Sequence, residues 1–250
     1  MKSSKVALAC ALIGLSLSGL GTTAQAQSFS EGFNDAPAGW LVNNLSSGHA
    51  NGSDWSIATG ITMSGVTVVT PQEGDAFAAV DYTSVGNASG VGTISNWLIS
   101  PEISGIQNGD TFSFYTTTGP GSEFPDRLQF RLSTAGAGSN VGTSTTSVGT
   151  FTTLLADVNP GLDVGGYPET WTQVSVTVSG LSAPVDGRVA FRYFVTNGGP
   201  AGDNSNIIGV DNFSYTSVSA VPEPASWALM LGGTVGLLGL QRRRRQGDRA

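Results

Sequence analysis

The side chains between residues 27 and 217 that could do chemistry are mostly carboxylates. Sixteen of the eighteen acidic residues of the chain lie in this span, with only four basic residues, Arg127, Arg131, Arg188 and Arg192. The span therefore carries a net charge of −12, the difference between 4 and 16, whereas the whole chain carries −7. Such an acidic surface repels nucleic acid and anionic lipid, so we predict no nucleic-acid partner.

Catalytic chemistry has few candidate residues. His49 is the only histidine, and the only cysteine, Cys10, lies near the N-terminus. These counts exclude zinc sites built from histidine and cysteine, and also Cys–His nucleophilic pairs. A Ser-His-Asp triad would need His49, but no G-x-S-x-G motif accompanies it. Two carboxylates suffice for glycoside hydrolysis, yet no motif singles out such a pair. We therefore predict a protein that is not an enzyme and has no catalytic residues.

Three acidic residues make calcium the most plausible metal ion. Glu31 falls at the predicted first strand, Asp211 in the last strand, and Asp203 in the loop before it. Calcium takes six to eight oxygen ligands and tolerates irregular geometry, so a structural calcium ion at these residues would tie the first strand to the last. No D-x-D-x-D-G loop strengthens this prediction. The alternative is that they are solvated loop carboxylates with turn-forming roles.

The four arginines form two evenly spaced pairs, Arg127/Arg131 and Arg188/Arg192. Residues at even spacing lie on the same face of a β-strand, and the opposite face of both segments is apolar. We therefore predict that the arginines face solvent or the concave side of a sheet, paired with local carboxylates such as Asp126 and Asp186. A ligand-binding role for Arg131 and Arg192 is the alternative.

Four tryptophans lie beside apolar strand residues or at strand ends: Trp40, Trp55, Trp97 and Trp171. Aromatic rings in such positions usually pack in a core or at a sheet edge, and this is the role we predict. The alternative is that they stack on sugar rings, as in carbohydrate-binding jelly rolls.

The elements that must position these side chains are β-strands. Five segments alternate between apolar and polar residues: Thr111–Thr116, Arg127–Leu132, Thr172–Val178, Arg188–Val195 and Ile207–Tyr215. Alternation with period two buries one side of each strand, which is typical of two packed antiparallel sheets. We predict an all-β fold, an antiparallel β-sandwich over residues 27–217, with Phe130 and Phe191 in its core.

The first 26 residues (1–26) have the pattern of a secretory signal peptide. Two lysines precede an uncharged apolar run, and Ala24 and Ala26 form an A-x-A cleavage site. Export through the Sec translocon is therefore predicted, with cleavage by signal peptidase before Gln27. Lipoprotein processing at Cys10 is not favoured, because this cysteine lies within the apolar run rather than after it.

The C-terminal residues 218–250 combine three features in order. A Val-Pro-Glu-Pro motif comes first, then an uncharged apolar run over residues 225–240, then four arginines. The prolines keep the motif extended, the run predicts a short apolar helix, and the arginines stop translocation. The motif consists of Val221, Pro222, Glu223 and Pro224, and the basic tail of Arg242, Arg243, Arg244 and Arg245. The alternative is an ordinary membrane anchor, but a spanning helix usually needs about 20 apolar residues.

This C-terminal segment resembles the PEP-CTERM sorting signal of Gram-negative bacteria, whose motif, apolar helix and basic tail occur in the same order. The resemblance implies recognition by an exosortase, transient anchoring in the inner membrane and removal of the tail. It also implies delivery to the cell surface or to the extracellular matrix.

Nine short segments of the predicted domain resemble choice-of-anchor J domains, relatives of cleaved-adhesin and MAM-type jelly rolls. In chain order they are Glu31–Phe33, Pro37–Trp40, Asp54–Trp55, Asn96–Pro101, Asp126–Leu128, Ser133–Thr134, Trp171–Thr172, Phe191–Tyr193 and Gly209–Asn212. The resemblance implies a jelly roll displayed outside the cell, without a catalytic residue set. We predict a role in adhesion, biofilm formation or association with exopolysaccharide. The alternative is a carbohydrate-binding module or a glycan-active enzyme.

Overall fold

The computed structural model of the protein describes residues 28–218, which form fourteen β-strands and three short 3-10 turns. The strands are β1 (Ser28–Glu31), β2 (Leu41–Asn44), β3 (Ser56–Ala58), β4 (Ile61–Met63), β5 (Val66–Val69), β6 (Phe77–Asp81), β7 (Gly92–Ile99), β8 (Ile103–Ile106), β9 (Thr111–Thr118), β10 (Leu128–Ser133), β11 (Thr153–Val158), β12 (Thr172–Thr177), β13 (Val185–Gly198) and β14 (Ile207–Thr216). The turns are His49–Asn51, Tyr82–Ser84 and Gly136–Gly138. The predicted signal peptide and the predicted C-terminal apolar helix lie outside the described residues.

The strands form two antiparallel sheets and one separate hairpin. The first sheet has the order β12-β9-β14-β6-β3, and β1 also pairs with β14. The second sheet has the order β11-β10-β13-β7-β2, and β8 also pairs with β13. Strands β4 and β5 pair only with each other. The predicted antiparallel β-sandwich is therefore confirmed. Within residues 28–218, no helix is long and apolar enough to cross a membrane.

All five strands that the alternating segments predict are present, as β9, β10, β12, β13 and β14. Alternation does not predict β7, the neighbour of β13 in the second sheet. The reason is that β7 buries six consecutive residues, from Ile94 to Ile99, so both of its faces are covered. A strand buried on both faces has no period-two pattern to detect.

The main core lies between the inner faces of the two sheets and is rich in aromatic rings. Phe130 and Phe191 are completely buried there, as predicted. Phe114 of the first sheet contacts both rings, with ring centroids 5.1 Å from Phe130 and 4.8 Å from Phe191. The apolar side of each alternating strand therefore faces the opposite sheet, and its polar side faces outward.

Both outer faces are covered by other parts of the chain. On the second sheet, Phe151 packs on Trp97, with ring centroids 5.6 Å apart. We call residues 134–152, which contain Phe151, the covering loop. On the first sheet, Trp171 packs edge-on against Phe77 at 5.2 Å. Both rings approach the backbone of Gly209, where an added Cβ would lie 2.8–2.9 Å from them, so only glycine fits without a shift of these rings.

Candidate functional site

Arg192 is the centre of a buried cluster on the outer face of the second sheet. It lies in β13, is only 2% exposed, and has the flat guanidinium 3.8 Å from the ring centroid of Phe194 and 4.8 Å from that of Trp97. Its nitrogens donate to Ser95 Oγ at 3.0 Å, Gln129 Oε1 at 3.3 Å and the carbonyl oxygen of Thr145 in the covering loop at 2.7 Å. The covering loop therefore seals this guanidinium from solvent.

The prediction that the arginines face solvent is wrong for Arg192. Alternation correctly placed this side chain on the outer face of its strand, but the covering loop lies over that face. The predicted pairs with Asp126 and Asp186 are absent among the described residues, and the local carboxylate that does pair with an arginine there is Asp157, with Arg127. Asp186 instead accepts a hydrogen bond from the backbone N–H of Gly105, and Arg188 donates to the carbonyl oxygen of Ser100.

Two half-buried arginines, Arg127 and Arg131, lie beside Arg192 in this cluster. Arg127 makes a two-point contact with the carboxylate of Asp157, at 2.8 and 2.6 Å. Arg131 donates to Gln129 Oε1 at 2.9 Å and to the carbonyl oxygen of Phe151 at 3.2 Å. One carboxylate thus faces three guanidinium groups, which leaves an excess of positive charge on an acidic domain.

Burial and the neighbouring positive charges lower the pKa values of the arginines in this cluster. Burial lowers the pKa of Arg192, and the nearby positive charges of Arg131 and Arg127 lower it further. Burial also lowers the pKa of Arg131, an effect that the charge of Asp157 opposes. Guanidinium groups remain protonated at neutral pH. The half-buried edge of the cluster, at Arg127 and Arg131, can therefore attract an anionic group.

Asp211, predicted as a metal ligand, lies on the outer face of the first sheet and is completely buried. Its carboxylate accepts hydrogen bonds from the backbone N–H groups of Gln72 at 3.0 Å, Glu73 at 3.3 Å and Asn212 at 2.7 Å. The pairing of β14 with β9 shifts register just after Asp211, and Asn212 has a positive φ of 48°. This bulge aims Asp211 at the segment that leads into β6.

The carboxylate of Glu31 lies near the same bulge, because Glu31 pairs with Phe213 across β1 and β14. Glu31 and Glu73 line one open cleft of about 540 Å³, together with Asn34 and Asn212. Glu31 Oε1 accepts a hydrogen bond from the backbone N–H of Phe33 at 3.0 Å. Burial raises the pKa of Asp211, backbone hydrogen bonds lower it, and the negative charge of Glu73 raises it.

Asp203, the third predicted metal ligand, is not brought to this cleft. Its carboxylate accepts a hydrogen bond from Asn197 Nδ2 at 2.7 Å, in the loop before β14. Within residues 28–218, no three His, Cys, Asp or Glu side chains are arranged to hold a metal ion. The cleft at Glu31 therefore offers carboxylate and amide oxygens rather than a complete set of acidic ligands.

The tryptophans are packing residues, as predicted. Trp40, Trp55 and Trp97 are buried at 8%, 6% and 0% exposure, so none of them presents a ring face to solvent as a sugar-stacking platform does. Trp171 is half-buried and donates its indole N–H to the carbonyl oxygen of Thr70 at 2.8 Å. His49 is exposed in a short 3-10 turn, which fits the loop role expected for it.

Asp126 is a buried polar centre that the sequence did not identify. It was predicted to pair with an arginine, but its carboxylate instead accepts hydrogen bonds from Tyr193 Oη at 2.5 Å, Thr118 Oγ1 at 2.7 Å and the backbone N–H of Asn206 at 2.8 Å. Burial raises the pKa of Asp126, and these hydrogen bonds lower it. The network fastens the loop before β14 to the core. The sequence contained one signal of this network, because Tyr193 falls on the inward face of β13 and carries the hydroxyl that donates to Asp126.

The sorting residues Val221–Pro224 and Arg242–Arg245, and the cleavage site at Ala24 and Ala26, lie outside the described residues. Residues 220–245 nevertheless match the PEP-CTERM protein-sorting motif. The match confirms the predicted sorting signal and implies processing by an exosortase. It begins four residues after the last residue of β14, Thr216. No curated protein shows a significant match to the chain.

Three solved structures give the fold comparison. The K3 cleaved adhesin domain of Lys-gingipain from Porphyromonas gingivalis W83 is 21% identical with a TM-score of 0.50, over 76% of this chain and 98% of that one. The K1 domain of the same protein is 20% identical with a TM-score of 0.48, over 77% and 99%. The CBM22-1 xylan-binding domain of Paenibacillus barcinonensis Xyn10C is 11% identical with a TM-score of 0.38, over 77% and 95%. At 21% identity the K3 likeness concerns the fold, and it supports the predicted jelly-roll type of sandwich.

Proposed function

We propose that this protein is an exported, non-enzymatic component of the cell surface or extracellular matrix of a Gram-negative bacterium, released from the inner membrane by an exosortase. The observation that carries the proposal is the PEP-CTERM motif at residues 220–245, directly after the last strand of an all-β domain. A folded domain placed next to a processing signal is suited to display after the signal is removed.

The proposed role is adhesion or biofilm formation through association with an acidic exopolysaccharide. The arginine cluster supports this role, because its three guanidinium groups have Asp157 as their one neighbouring carboxylate among the described residues that act on their charge. A guanidinium group binds carboxylates and similar anions with two parallel hydrogen bonds. Arg131 is the proposed contact residue, and Arg192 is proposed to position the cluster, since its nitrogens already have partners in the protein.

Processing is tested with the full chain in a host that has an exosortase. Intact-mass analysis should give a mature protein that begins at Gln27 and lacks the Arg242–Arg245 tail. Replacing both Pro222 and Pro224 by alanine should impair tail removal, because the prolines hold the motif extended. A Ser219→Ala variant is the control and should be processed normally. Recovery of the arginine tail on surface-exposed wild-type protein would refute the sorting proposal.

Binding is tested on the mature protein with an acidic and a neutral polysaccharide of similar length. The acidic polymer should bind, the bound fraction should fall with salt, and Arg131→Gln should weaken binding. Exposed acidic residues elsewhere should not matter, so Glu123→Gln serves as the control. Release of reducing ends would favour the alternative, a glycan-active enzyme. Salt-independent binding of the neutral polymer would favour a carbohydrate-binding module.

We also propose that a structural calcium ion binds at the cleft beside the β14 bulge. Glu31 and Glu73, which line this cleft, would supply the carboxylate oxygens. The buried Asp211 does not line the cleft and would hold residues 72 and 73 in place through their backbone N–H groups, and Asp203 lies elsewhere. The donor chemistry fits, because the cleft gathers carboxylate and amide oxygens, which calcium prefers. The negative charge of Glu73 already disfavours ionised Asp211, and a cation would remove that repulsion. When bound, the ion would supply charge neutralisation only.

A further inference from the structure

Asp126 is a buried carboxyl group without a positively charged partner in the described part of the chain. It is 1% exposed and lies between β9 and β10. Burial raises its pKa, and the influences that oppose burial are three hydrogen bonds rather than a cation. The guanidinium of the next residue, Arg127, is engaged by Asp157. A carboxylate is costly to bury without a charge partner, and such a group usually takes up a proton instead.

The contacts of Thr118 indicate which oxygen of Asp126 carries that proton. Thr118 Oγ1 lies 2.7 Å from Asp126 Oδ2 and 2.8 Å from the carbonyl oxygen of Ile207. A threonine hydroxyl has one proton to donate, whereas a carbonyl oxygen and an ionised carboxylate can only accept. With Asp126 ionised, one of these two contacts would therefore have no proton. A proton on Oδ2 completes both, because Oδ2 then donates to Thr118 and Thr118 donates to Ile207.

The other carboxyl oxygen, Oδ1, already has two donors. It accepts hydrogen bonds from Tyr193 Oη at 2.5 Å and from the backbone N–H of Asn206 at 2.8 Å. The nearby Tyr167 has no proton to spare, because its Oη lies 2.5 Å from Thr116 Oγ1, whose own proton goes to a backbone carbonyl oxygen at 2.7 Å. The proton on Oδ2 must therefore belong to the carboxyl group itself.

The titratable groups around this carboxyl group are all acids, so none of them carries a positive charge that would offset an ionised Asp126. They come from three parts of the chain and are Tyr193 of β13, Asp163, Tyr167 and Glu169 of the segment between β11 and β12, and Asp81 of β6. Burial raises the pKa of both tyrosines, so their hydroxyl groups stay neutral. The surroundings thus favour the uncharged form of Asp126.

We propose that Asp126 is a neutral acid in the folded protein and acts as a pH-sensitive latch on the start of β14. In the acid form, the carboxyl group holds Asn206 through Oδ1 and holds Ile207 through the hydroxyl of Thr118. Loss of the proton turns that hydroxyl towards the carboxylate, so the carbonyl oxygen of Ile207 loses its donor and a charge is left buried. The latch therefore holds in acid and weakens as the pH rises. It is independent of the arginine cluster and of the proposed surface role.

The test compares the mature protein with Asp126→Asn, in which an amide N–H replaces the acid proton opposite Thr118. An aspartate in an unfolded chain titrates near pH 3.9, and burial raises the pKa of Asp126 in the folded protein. Between these two values the folded state holds one proton more than the unfolded state, so the wild type loses stability as the pH rises. Within that window, its unfolding equilibrium constant should rise about tenfold per pH unit relative to that of Asp126→Asn, measured by urea denaturation.

Asp163→Asn is the matched control, because Asp163 is an exposed carboxylate beside the same small cavity, and this variant should not produce the rise. An equal rise with Asp163→Asn would overturn the proposal, since general repulsion among acidic groups would then explain the pH dependence. A ratio of unfolding constants between the wild type and Asp126→Asn that stays constant or falls with pH would also overturn it.

A second measurement uses the wild type alone and does not depend on how a variant folds. In ¹³C NMR, the carboxyl carbon of Asp126, assigned through its bonded neighbours, should keep the chemical shift of a protonated acid after the exposed aspartates have ionised. Ionisation of Asp126 together with the exposed aspartates would show that the carboxylate is buried as a charge, and the latch would be refuted.

Discussion

The two sheets differ in how their outer faces hold the segments that cover them. On the first sheet, the carboxylate of Asp211 accepts hydrogen bonds from backbone N–H groups of the segment that leads into β6. On the second sheet, the guanidinium of Arg192 donates to a backbone carbonyl oxygen of the covering loop. Both faces use one buried charged side chain, but the charges are opposite and the partners are complementary.

The difference lies in what compensates each buried charge. Asp211 has three backbone N–H donors within 3.3 Å, and backbone donors can stabilise a carboxylate without any cation. Arg192 has no carboxylate partner among its contacts, and rests instead on aromatic rings and neutral oxygens. A guanidinium tolerates this setting because it is weakly hydrated and stacks on aromatic faces. The comparison predicts that the covering of the second sheet depends more on Arg192 than the covering of the first sheet depends on Asp211.

Among the charged side chains, the largest effect is expected for Arg192→Met. This change removes three hydrogen bonds from a charged donor and leaves the covering loop without its anchor at Thr145. We expect a loss of about 3 kcal/mol of unfolding free energy, measured by urea denaturation. Arg188→Met, on the same strand, is the control and should cost less, because Arg188 makes one hydrogen bond to Ser100. Equal losses in the two variants would show that the covering loop does not depend on Arg192.

The next prediction concerns the first sheet, where we expect calcium to stabilise the protein. A ligand that binds only the folded state adds about 2.7 kcal/mol at a hundredfold excess over its Kd. The melting temperature of the mature protein in millimolar calcium should therefore be higher than its melting temperature in magnesium at equal ionic strength. Glu73→Gln should remove most of that difference, whereas Asp203→Asn should not.

The choice of Glu73 matters for this experiment. Asp211→Asn would weaken the hold on residues 72 and 73 even without a metal, so its effect alone cannot identify an ion site. Identical melting temperatures in calcium and magnesium would mean that general screening of an acidic surface explains any stabilisation. The bulge in β14 would then be held by the backbone hydrogen bonds to Asp211, without an ion.

The smallest effect is expected for Arg131→Ala, at about 1 kcal/mol of unfolding free energy, because this half-buried side chain makes two hydrogen bonds to neutral oxygens. Phe130→Ala, on the opposite face of the same strand, is the matched control and should cost about 3–5 kcal/mol. Equal losses in chemical denaturation would contradict the assignment of inner and outer faces on β10.

Local sequence pattern predicted which side of each strand faces inward, but not whether the other side is covered. Period-two spacing is a local property, and it placed Phe191 and Arg192 on opposite faces correctly. The burial of Arg192 depends on Thr145 of the covering loop, 47 residues away in sequence, and the same loop packs Phe151 onto Trp97. A glycine- and serine-rich segment predicts a loop, and only the isolated apolar residues Val141, Val148 and Phe151 indicated that one side of the loop packs on the sheet.

The candidate sites were predicted unevenly for the same reason. Glu31 and Asp211 were expected to meet because the first and last strands of such a sandwich are neighbours, and their strands do pair. Glu73 was missed, since it reaches the bulge through a loop rather than through a strand register. The indole N–H of Trp40, which is unpaired within residues 28–218, was also missed. This tryptophan was correctly predicted as buried, but an unpaired donor is a property of three-dimensional packing that no spacing rule reports.

Under the proposed surface role, the position of β14 has a mechanical consequence for a domain pulled at its C-terminal end. Strand β14 is bonded to β9 on one edge, and to β6 and then β1 on the other edge. A pull along the exit from Thr216 therefore loads both rows of hydrogen bonds together, in shear, rather than opening them one at a time. Because β1 runs antiparallel to β14, with Ser28 opposite Thr216, the chain enters and leaves this sheet at the same end. The strand that leads to the sorting signal is thus clamped from both sides against tension.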